Sequence, residues 1–196
     1  MRLATEASPE GNDQFVHLPL TWSLLERVLK SRGDASTPRL TFDHGLLQLM
    51  APSESHESVS RLLTLLLHTW AVERDVELRA VGSWTLKRKA AQTAVEPDEC
   101  FVVGTHQPKV PDLAIEVVWT HAGIDKLPLY FRLGVREVWF WESGALQVFV
   151  RRSRGYARSK QSAVLRGIDL ELIAELSRQH SHSQAVRSLR QRLARH

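Results

Sequence analysis

The sequence predicts an α/β fold in which helices flank a mixed central sheet. Segments with apolar residues at helical spacing alternate with short apolar segments typical of strands, in the order helix, strands, helix, strands. With 196 residues the chain is long enough to bury a substantial core, and it contains no internal repeat. We therefore expect a single domain over residues 1–196.

The first half of the chain contains two predicted helices and three predicted strands. "LPLTWSLLERVLKSR" has apolar residues at helical spacing and ends at Gly33. "PRLTFDHGLLQLM" predicts a hairpin that turns at residues 43–45. Ser53 or Ser55 can then cap a long helix. "VELRAVGSWTLKR" predicts one strand with a bulge at Gly82.

The second half continues with predicted strands over residues 97–103 and 112–119. "HAGIDKLPLYFRLG" predicts a helix of about three turns that begins near Asp125, because a proline is tolerated only in the first turn. "VREVWFWESGALQVFVRR" predicts a hairpin that turns at residues 143–144. Two further helices are predicted over "DLELIAELSRQ" and "SQAVRSLRQRLAR".

Charge and cysteine content narrow the functional class. From residue 126 onward, 14 Lys and Arg stand against 5 Asp and Glu, a net +9, whereas the whole chain carries +4. A basic surface near carboxylates suits a polyanion handled with a cation, although a solvated surface explains the same balance. The single cysteine, Cys100, excludes a multi-cysteine zinc site. We see no signal-like start and no long apolar run, and expect a cytoplasmic protein without a membrane span.

Two acids are placed to work together. Asp98 and Glu116 lie on neighbouring predicted strands, which run about 4.8 Å apart, so their carboxylates can meet across the pair. Glu116 stands between Ile115 and Val117, where an ionised acid is costly without a partner. Asp112 shares its face but lies roughly 13 Å along the strand, too far to share one ion. A hard divalent cation, magnesium or alternatively manganese, would offset the repulsion between the first two acids.

Lys126 follows the Glu116 strand at the start of the next predicted helix, so its side chain can reach back over the strand end. An ammonium group there can position an attacking water and offset negative charge that develops on a phosphate. A solvated lysine near a helix start explains the same position. Together with the two acids, Lys126 fits phosphodiester hydrolysis.

Four motifs occur in a fixed order: "EPDECFVVG", "PDLAIEV", "THAGIDKLPLY" and "LGVREVWFWE". On these motifs the chain closely resembles the Uma-type (Uma-two) restriction endonucleases, a branch of the PD-(D/E)XK nuclease superfamily. "LMAPSESHESVSRLL" matches the early helix of that family. The resemblance implies a restriction-endonuclease-like α-β-β-β-α-β core over residues 38–150, which leaves an N-terminal helical segment over 1–37 and a C-terminal helical extension over 165–196.

The resemblance also implies a magnesium-dependent nuclease site with Asp98 and Glu116 as metal ligands. The usual superfamily lysine, two residues after the Glu, is replaced by Val118, and Lys126 of the "DKLPLY" segment takes its place. Val118 can still offer its backbone carbonyl to a metal. His56 matches the early-helix histidine of the family and either contacts the site or makes a structural hydrogen bond. Glu57 is a further catalytic candidate, although helix capping alone favours an acid there.

Three functions compete at this point. The first is a magnesium-dependent endonuclease whose basic second half contacts the DNA backbone. The second is a nuclease-fold protein with weak or no catalysis, as Val118 suggests, that acts in DNA binding or self-association. The third is hydrolysis of another phosphodiester or of a nucleotide. The resemblance and the aromatic strand "VWFWE" also lead us to expect a homodimer.

Overall fold

The protein is described by a computed structural model over residues 5–7, 13–119 and 124–195. These residues form two sheets and five α-helices. The strands are β1 (Thr5–Ala7), β2 (Gln14–Pro19), β3 (Arg39–Asp43), β4 (Leu46–Ala51), β5 (Leu78–Ala80), β6 (Leu86–Arg88), β7 (Thr93–Val95), β8 (Glu99–Val103), β9 (Leu113–Val118), β10 (Glu137–Glu142), β11 (Ala145–Arg152) and β12 (Gly155–Ser159). The helices are α1 (Trp22–Arg32), α2 (Glu54–Glu73), α3 (Lys126–Leu133), α4 (Leu170–Leu176) and α5 (His182–Leu193).

Each sheet has six strands. The first has the order β1-β2-β4-β3-β7-β6 and is antiparallel throughout. The second has the order β12-β11-β10-β9-β8-β5, in which only β9 and β10 are parallel. The predicted α/β class with a mixed sheet flanked by helices is confirmed. The strands form two separate sheets, whereas the sequence predicts one.

Helix α2 covers one face of the second sheet. Its side chains Leu62, Leu63 and Leu66 are at most 1% exposed, and they pack against Ile115 and Trp139 of the sheet. Burying one such leucine stabilises the fold by about 2 kcal/mol. Ser53 caps this helix and accepts a hydrogen bond from the backbone N–H of residue 56 at 3.2 Å.

Helix α3 covers the opposite face of the same sheet and connects the two parallel strands. Leu129 and Tyr130 pack against Ala114 and Val138. Asp125 caps the helix, because its side chain accepts a hydrogen bond from the backbone N–H of residue 127 at 3.1 Å. The helix has 8 residues, about two turns, and is shorter than predicted. Residues 120–123 lie outside the described residues.

Two predictions about individual segments are wrong in part. The stretch "VELRAVGSWTLKR" forms β5 and β6, which belong to different sheets, because the chain turns at Gly82 with φ of +70°. The segment 1–37 is not wholly helical, because β1 and β2 precede α1. Strands β7 and β12 were also not predicted. The hairpins at residues 43–45 and 143–144, helix α1 ending at Gly33, and the two C-terminal helices are confirmed.

Strand β10 contains the aromatic segment "VWFWE", and it lies inside the sheet between β9 and β11. Trp139 and Trp141 are 0% and 4% exposed. These rings belong to the core, so they give no support for the expected homodimer. None of the helices in the described ranges is long and apolar enough to cross a membrane.

Candidate active site

The two predicted acids face each other on neighbouring strands. Strands β8 and β9 pair with Glu99 opposite Ile115, so extending the register by one residue brings Asp98 opposite Glu116. Both side chains are 1% exposed. One carboxylate oxygen of Asp98, Oδ2, accepts a hydrogen bond from the backbone N–H of Val117 at 2.8 Å. The carboxylate of Asp98 therefore bridges the two strands at their ends.

Helix α3 supplies two donors to Glu116. Lys126 Nζ donates to Glu116 Oε2 at 2.6 Å, and the hydroxyl of Tyr130 donates to Oε1. Lys126 and Tyr130 are four residues apart, so they lie on one face of the helix. Because α3 packs on the face of β9 that carries Glu116, both side chains reach the same carboxylate.

Burial and charge set the protonation of this group. Burial raises the pKa of Glu116 to about 7, and the positive charge of Lys126 only partly offsets it. Burial by itself lowers the pKa of Lys126, but the negative charges of Glu116 and Asp98 outweigh burial and raise that pKa. Burial, followed by the charge of Glu116, raises the pKa of the Tyr130 hydroxyl well above its usual value. Tyr130 is therefore a neutral donor, and Lys126 is a cation.

His56 stands between two acids. Its Nδ1 lies 2.9 Å from Asp13 Oδ2 and its Nε2 lies 3.0 Å from Asp98 Oδ2. The Nε2 contact has ion-pair distance but is poorly aligned as a hydrogen bond. Burial lowers the pKa of His56, but the charge of Asp98 and the interactions with Asp13 outweigh burial and raise the pKa to about 10. His56 is therefore a buried imidazolium at neutral pH.

The charge of Asp98 is balanced from two sides. Burial alone raises the pKa of Asp98, but the positive charge of His56, together with Lys126 and Arg39, holds it well below its usual range. Arg39 Nε lies 3.3 Å from Asp98 Oδ1, and Arg39 Nη2 lies 3.1 Å from Glu57 Oε1. Arg39 therefore lies between the carboxylates of Glu57 and Asp98 and pairs with both of them.

A pocket of about 340 Å³ opens over this cluster. Glu116 and Lys126 border it, whereas Asp98 lies behind them and Glu57 lies outside. The pocket is bordered on its polar side by Asp13, His56, Glu116 and Lys126, and on its apolar side by Phe15, Val118, Trp119, Phe140 and Phe149. Four candidate residues therefore border one pocket, namely His56, Glu116, Val118 and Lys126, whereas Asp98 and Glu57 do not.

The carboxylates can accommodate a hard cation. Glu116 Oε1, Glu116 Oε2 and Asp98 Oδ1 each accept one hydrogen bond, so each oxygen keeps a free lone pair. Magnesium commonly takes only one or two protein carboxylates and completes its shell with carbonyls, waters and phosphates. No group of three His, Cys, Asp or Glu suited to a metal occurs among the described residues. A magnesium ion here would therefore be held by two carboxylates at most, with waters and substrate oxygens completing its shell.

Sequence reasoning missed three residues of this cluster. Tyr130 is not among the predicted site residues, although its spacing of four from Lys126 is a usable signal. Arg39 and Asp13 carried no signal, because their contacts arise only when β3 and the segment before β2 pack beside α2.

The model of a family named Uma2, described as "Putative restriction endonuclease", matches residues 22–183. The chain belongs to the Uma2 family. The Uma2 match includes Arg39, His56, Asp98, Glu116 and Lys126, but it excludes Asp13.

Among solved structures, the chain is similar to one described as "a putative nuclease belonging to DUF820" from Anabaena variabilis. The identity is 14% and the TM-score is 0.48, with 84% of this chain and 98% of that chain covered. No curated protein matches the chain.

Proposed function

We propose that this Uma2 protein is a magnesium-dependent endonuclease that hydrolyses phosphodiester bonds of DNA. The observation that carries the proposal is the cluster of Asp98, Glu116 and Lys126: Lys126 Nζ lies 2.6 Å from Glu116, both border one pocket, and Asp98 stands opposite Glu116. Membership in a family of restriction-type endonucleases supports the same reaction class. The three residues come from the position directly before β8, from β9 and from α3; strand pairing joins the first two, and the packing of α3 on the sheet adds the third.

Asp98 and Glu116 would hold the magnesium ion, with the backbone carbonyl of Val118 as a further ligand. When bound, the ion supplies Lewis-acid polarisation of the phosphate and lowers the pKa of a coordinated water. Glu116 must be ionised for this role, and its raised pKa means that it loses its proton only near neutral pH.

Lys126 would act on the substrate directly. Its ammonium group stays charged, because Glu116 and Asp98 raise its pKa. From the pocket border it can donate hydrogen bonds to a phosphate oxygen and to the attacking water. The superfamily lysine lies on the strand, whereas Lys126 reaches the same carboxylate from α3.

His56 and Arg39 would act as positioning residues. Both hold the carboxylate of Asp98 in its ionised form, and Asp13 holds His56 in turn. Glu57 would act only through Arg39, so we expect its replacement to have the smallest effect among the candidates.

Nicking of a supercoiled plasmid tests the proposal. Cleavage should require Mg²⁺ or Mn²⁺ and disappear with EDTA. Glu116→Gln and Lys126→Met should each lower the rate by about 100-fold or more, the size expected when one group that stabilises a transition state is lost. Glu171→Gln and Lys30→Met replace exposed residues of the same types and serve as matched controls. Cleavage unaffected by both site variants would contradict the proposed roles.

A second function is favoured by one observation, the apolar Val118 in the slot of the usual lysine. Under this alternative the protein binds DNA without cleaving it efficiently. Salt-dependent DNA binding together with no nicking in Mg²⁺ or Mn²⁺ would favour the alternative.

A further inference from the structure

Strand β12 forms one edge of the second sheet and lies in the most basic part of the chain. Residues 151–168 contain no Asp or Glu. The cations in this stretch are Arg151, Arg152, Arg154, Arg158, Lys160 and Arg166. A run of charge is often only a solvated surface. The question is therefore which of these side chains lie on the face of the sheet that carries the candidate active site.

The strand register relates this edge to the candidate active site. Glu116 lies beside Phe140, and Phe140 lies opposite Gln147. The pairing of Val148 with Ser159, extended by one residue, brings Lys160 opposite Gln147. Residues directly opposite each other point to the same face of a sheet. Lys160 therefore lies in the same row as Glu116, on the same face.

Arg158 lies on that face as well, because it pairs with Phe149. Phe149, Gln147 and Phe140 all border the pocket above Glu116. A continuous surface therefore leads from the carboxylates, across these three side chains, to β12. Glu116 and Lys160, at the two ends of this row, are separated by three strand spacings, or about 14 Å.

Arg158 and Lys160 are both exposed. Within the described ranges, no carboxylate lies at ion-pair distance from either of them. Two arginines of the C-terminal helix differ in this respect, since Arg190 pairs with Glu73 at 2.7 Å and Arg192 pairs with Glu175 at 3.6 Å. Arg158 of β12 and Lys160, which directly follows β12, are therefore available to an external anion.

We propose that Arg158 and Lys160, the basic edge, bind the phosphate backbone of a DNA strand that passes over the pocket. This inference rests on the proposed nuclease function and adds the location of the DNA. The two cations of this edge have the charge that a polyphosphate needs, and 14 Å corresponds to about four steps of 3.4 Å along one DNA strand. An isolated phosphate would not need a row of this length.

The chain offers a matched control on the same hairpin. Arg152 points to the opposite face, the one that carries the buried Val148 and Val150, and Arg154 lies in the turn between β11 and β12. The double variants Arg158→Gln/Lys160→Gln and Arg152→Gln/Arg154→Gln remove the same charge from the same hairpin. All four side chains are exposed, so both variants should fold, as circular dichroism can check.

The experiment measures binding of a fluorescent DNA duplex by anisotropy between 50 and 200 mM salt, with every protein carrying Glu116→Gln to prevent cleavage. Loss of two phosphate contacts should make the slope of log K against log salt less negative by about 2. The difference in affinity between the two double variants should then shrink by roughly 10-fold across that fourfold change in salt. The control pair should keep the parent slope.

Equal slopes of log K against log salt for the two double variants would overturn the proposal that the basic edge binds DNA. If plasmid nicking by the otherwise unaltered protein still depends on Glu116 and Lys126, the nuclease function survives that result. A parent protein that binds no duplex and nicks no plasmid would overturn both proposals. The basic edge would also fail if Arg158 and Lys160 were needed for binding to anionic phospholipid vesicles but not to DNA.

Discussion

Replacement of His56 by Gln should destabilise the fold in a pH-dependent way. His56 is 1% exposed and lies 2.9 Å from Asp13 and 3.0 Å from Asp98. Gln keeps a polar side chain of similar reach but cannot carry the positive charge. The substitution therefore leaves two buried carboxylates with one cation fewer, which typically costs about 3–5 kcal/mol.

The magnitude follows independently from the pKa of His56, which rises from 6.5 to about 10 on folding. Because the folded pKa is the higher one, the stabilisation is fully present below pH 6.5 and is lost as the pH rises through 10. At 1.36 kcal/mol per pKa unit, the protonated histidine contributes about 4 kcal/mol at pH 7 and about 1 kcal/mol at pH 9. The value at pH 7 agrees with the cost of breaking a buried ion pair.

Urea unfolding of the protein and of His56→Gln at pH 7, 8 and 9 measures this difference. Subtracting the two free energies of unfolding cancels the titration of groups that both proteins share. The exposed His180 provides a control, because His180→Gln removes an imidazole without touching the chain from Asp13 to Asp98. A difference between the protein and His56→Gln that stays constant from pH 7 to 9 would refute the buried imidazolium.

Three further predictions concern the same site and the core. At Mg²⁺ concentrations well below saturation, the nicking rate should rise about tenfold per pH unit up to pH 7 and then level off, because the metal-free Glu116 with a pKa of about 7 must lose its proton to bind the ion; a flat profile from pH 5.5 to 8.5 would contradict this. In a protein that carries Asp13→Asn, the free energy of unfolding contributed by His56 should change less between pH 7 and 9, because His56 loses one of its two negative partners; the same urea unfolding series measures this. Leu66→Ala removes a fully buried side chain and should cost about 2–5 kcal/mol, whereas Leu65→Ala at a site 44% exposed should cost well under half of that, as thermal unfolding can show.

The sequence predicted turns, helix starts and strand neighbours, because residues close together in the chain determine them. The hairpin between β3 and β4 turns through His44 and Gly45, whose φ angles are both positive, and "DHG" between two apolar strands indicates such a turn. The start of α2 followed from the serines after β4, and Ser53 is the one that caps it. The opposition of Asp98 and Glu116 followed from strand order and from the short distance between adjacent strands.

Other features depend on tertiary structure. Strands β5, β6 and β7 have three residues each, too few for a periodic pattern, and the sheet that each one joins depends on the turn at Gly82. The contact of Asp13 with His56 spans 43 positions in sequence, so no spacing rule can find it. The same holds for Arg39 and Asp98, which are 59 positions apart.

The amine and the acids of this site stand on separate structural elements. Glu116 belongs to β9 and Asp98 directly precedes the neighbouring strand β8, whereas Lys126 is carried by a short helix that rests on the sheet through Leu129 and Leu133. A small shift of that helix would withdraw the amine and leave the two carboxylates in place. In the proposed nuclease, ion binding and turnover would therefore change separately, and a variant altered only beneath the helix would retain the first while losing the second.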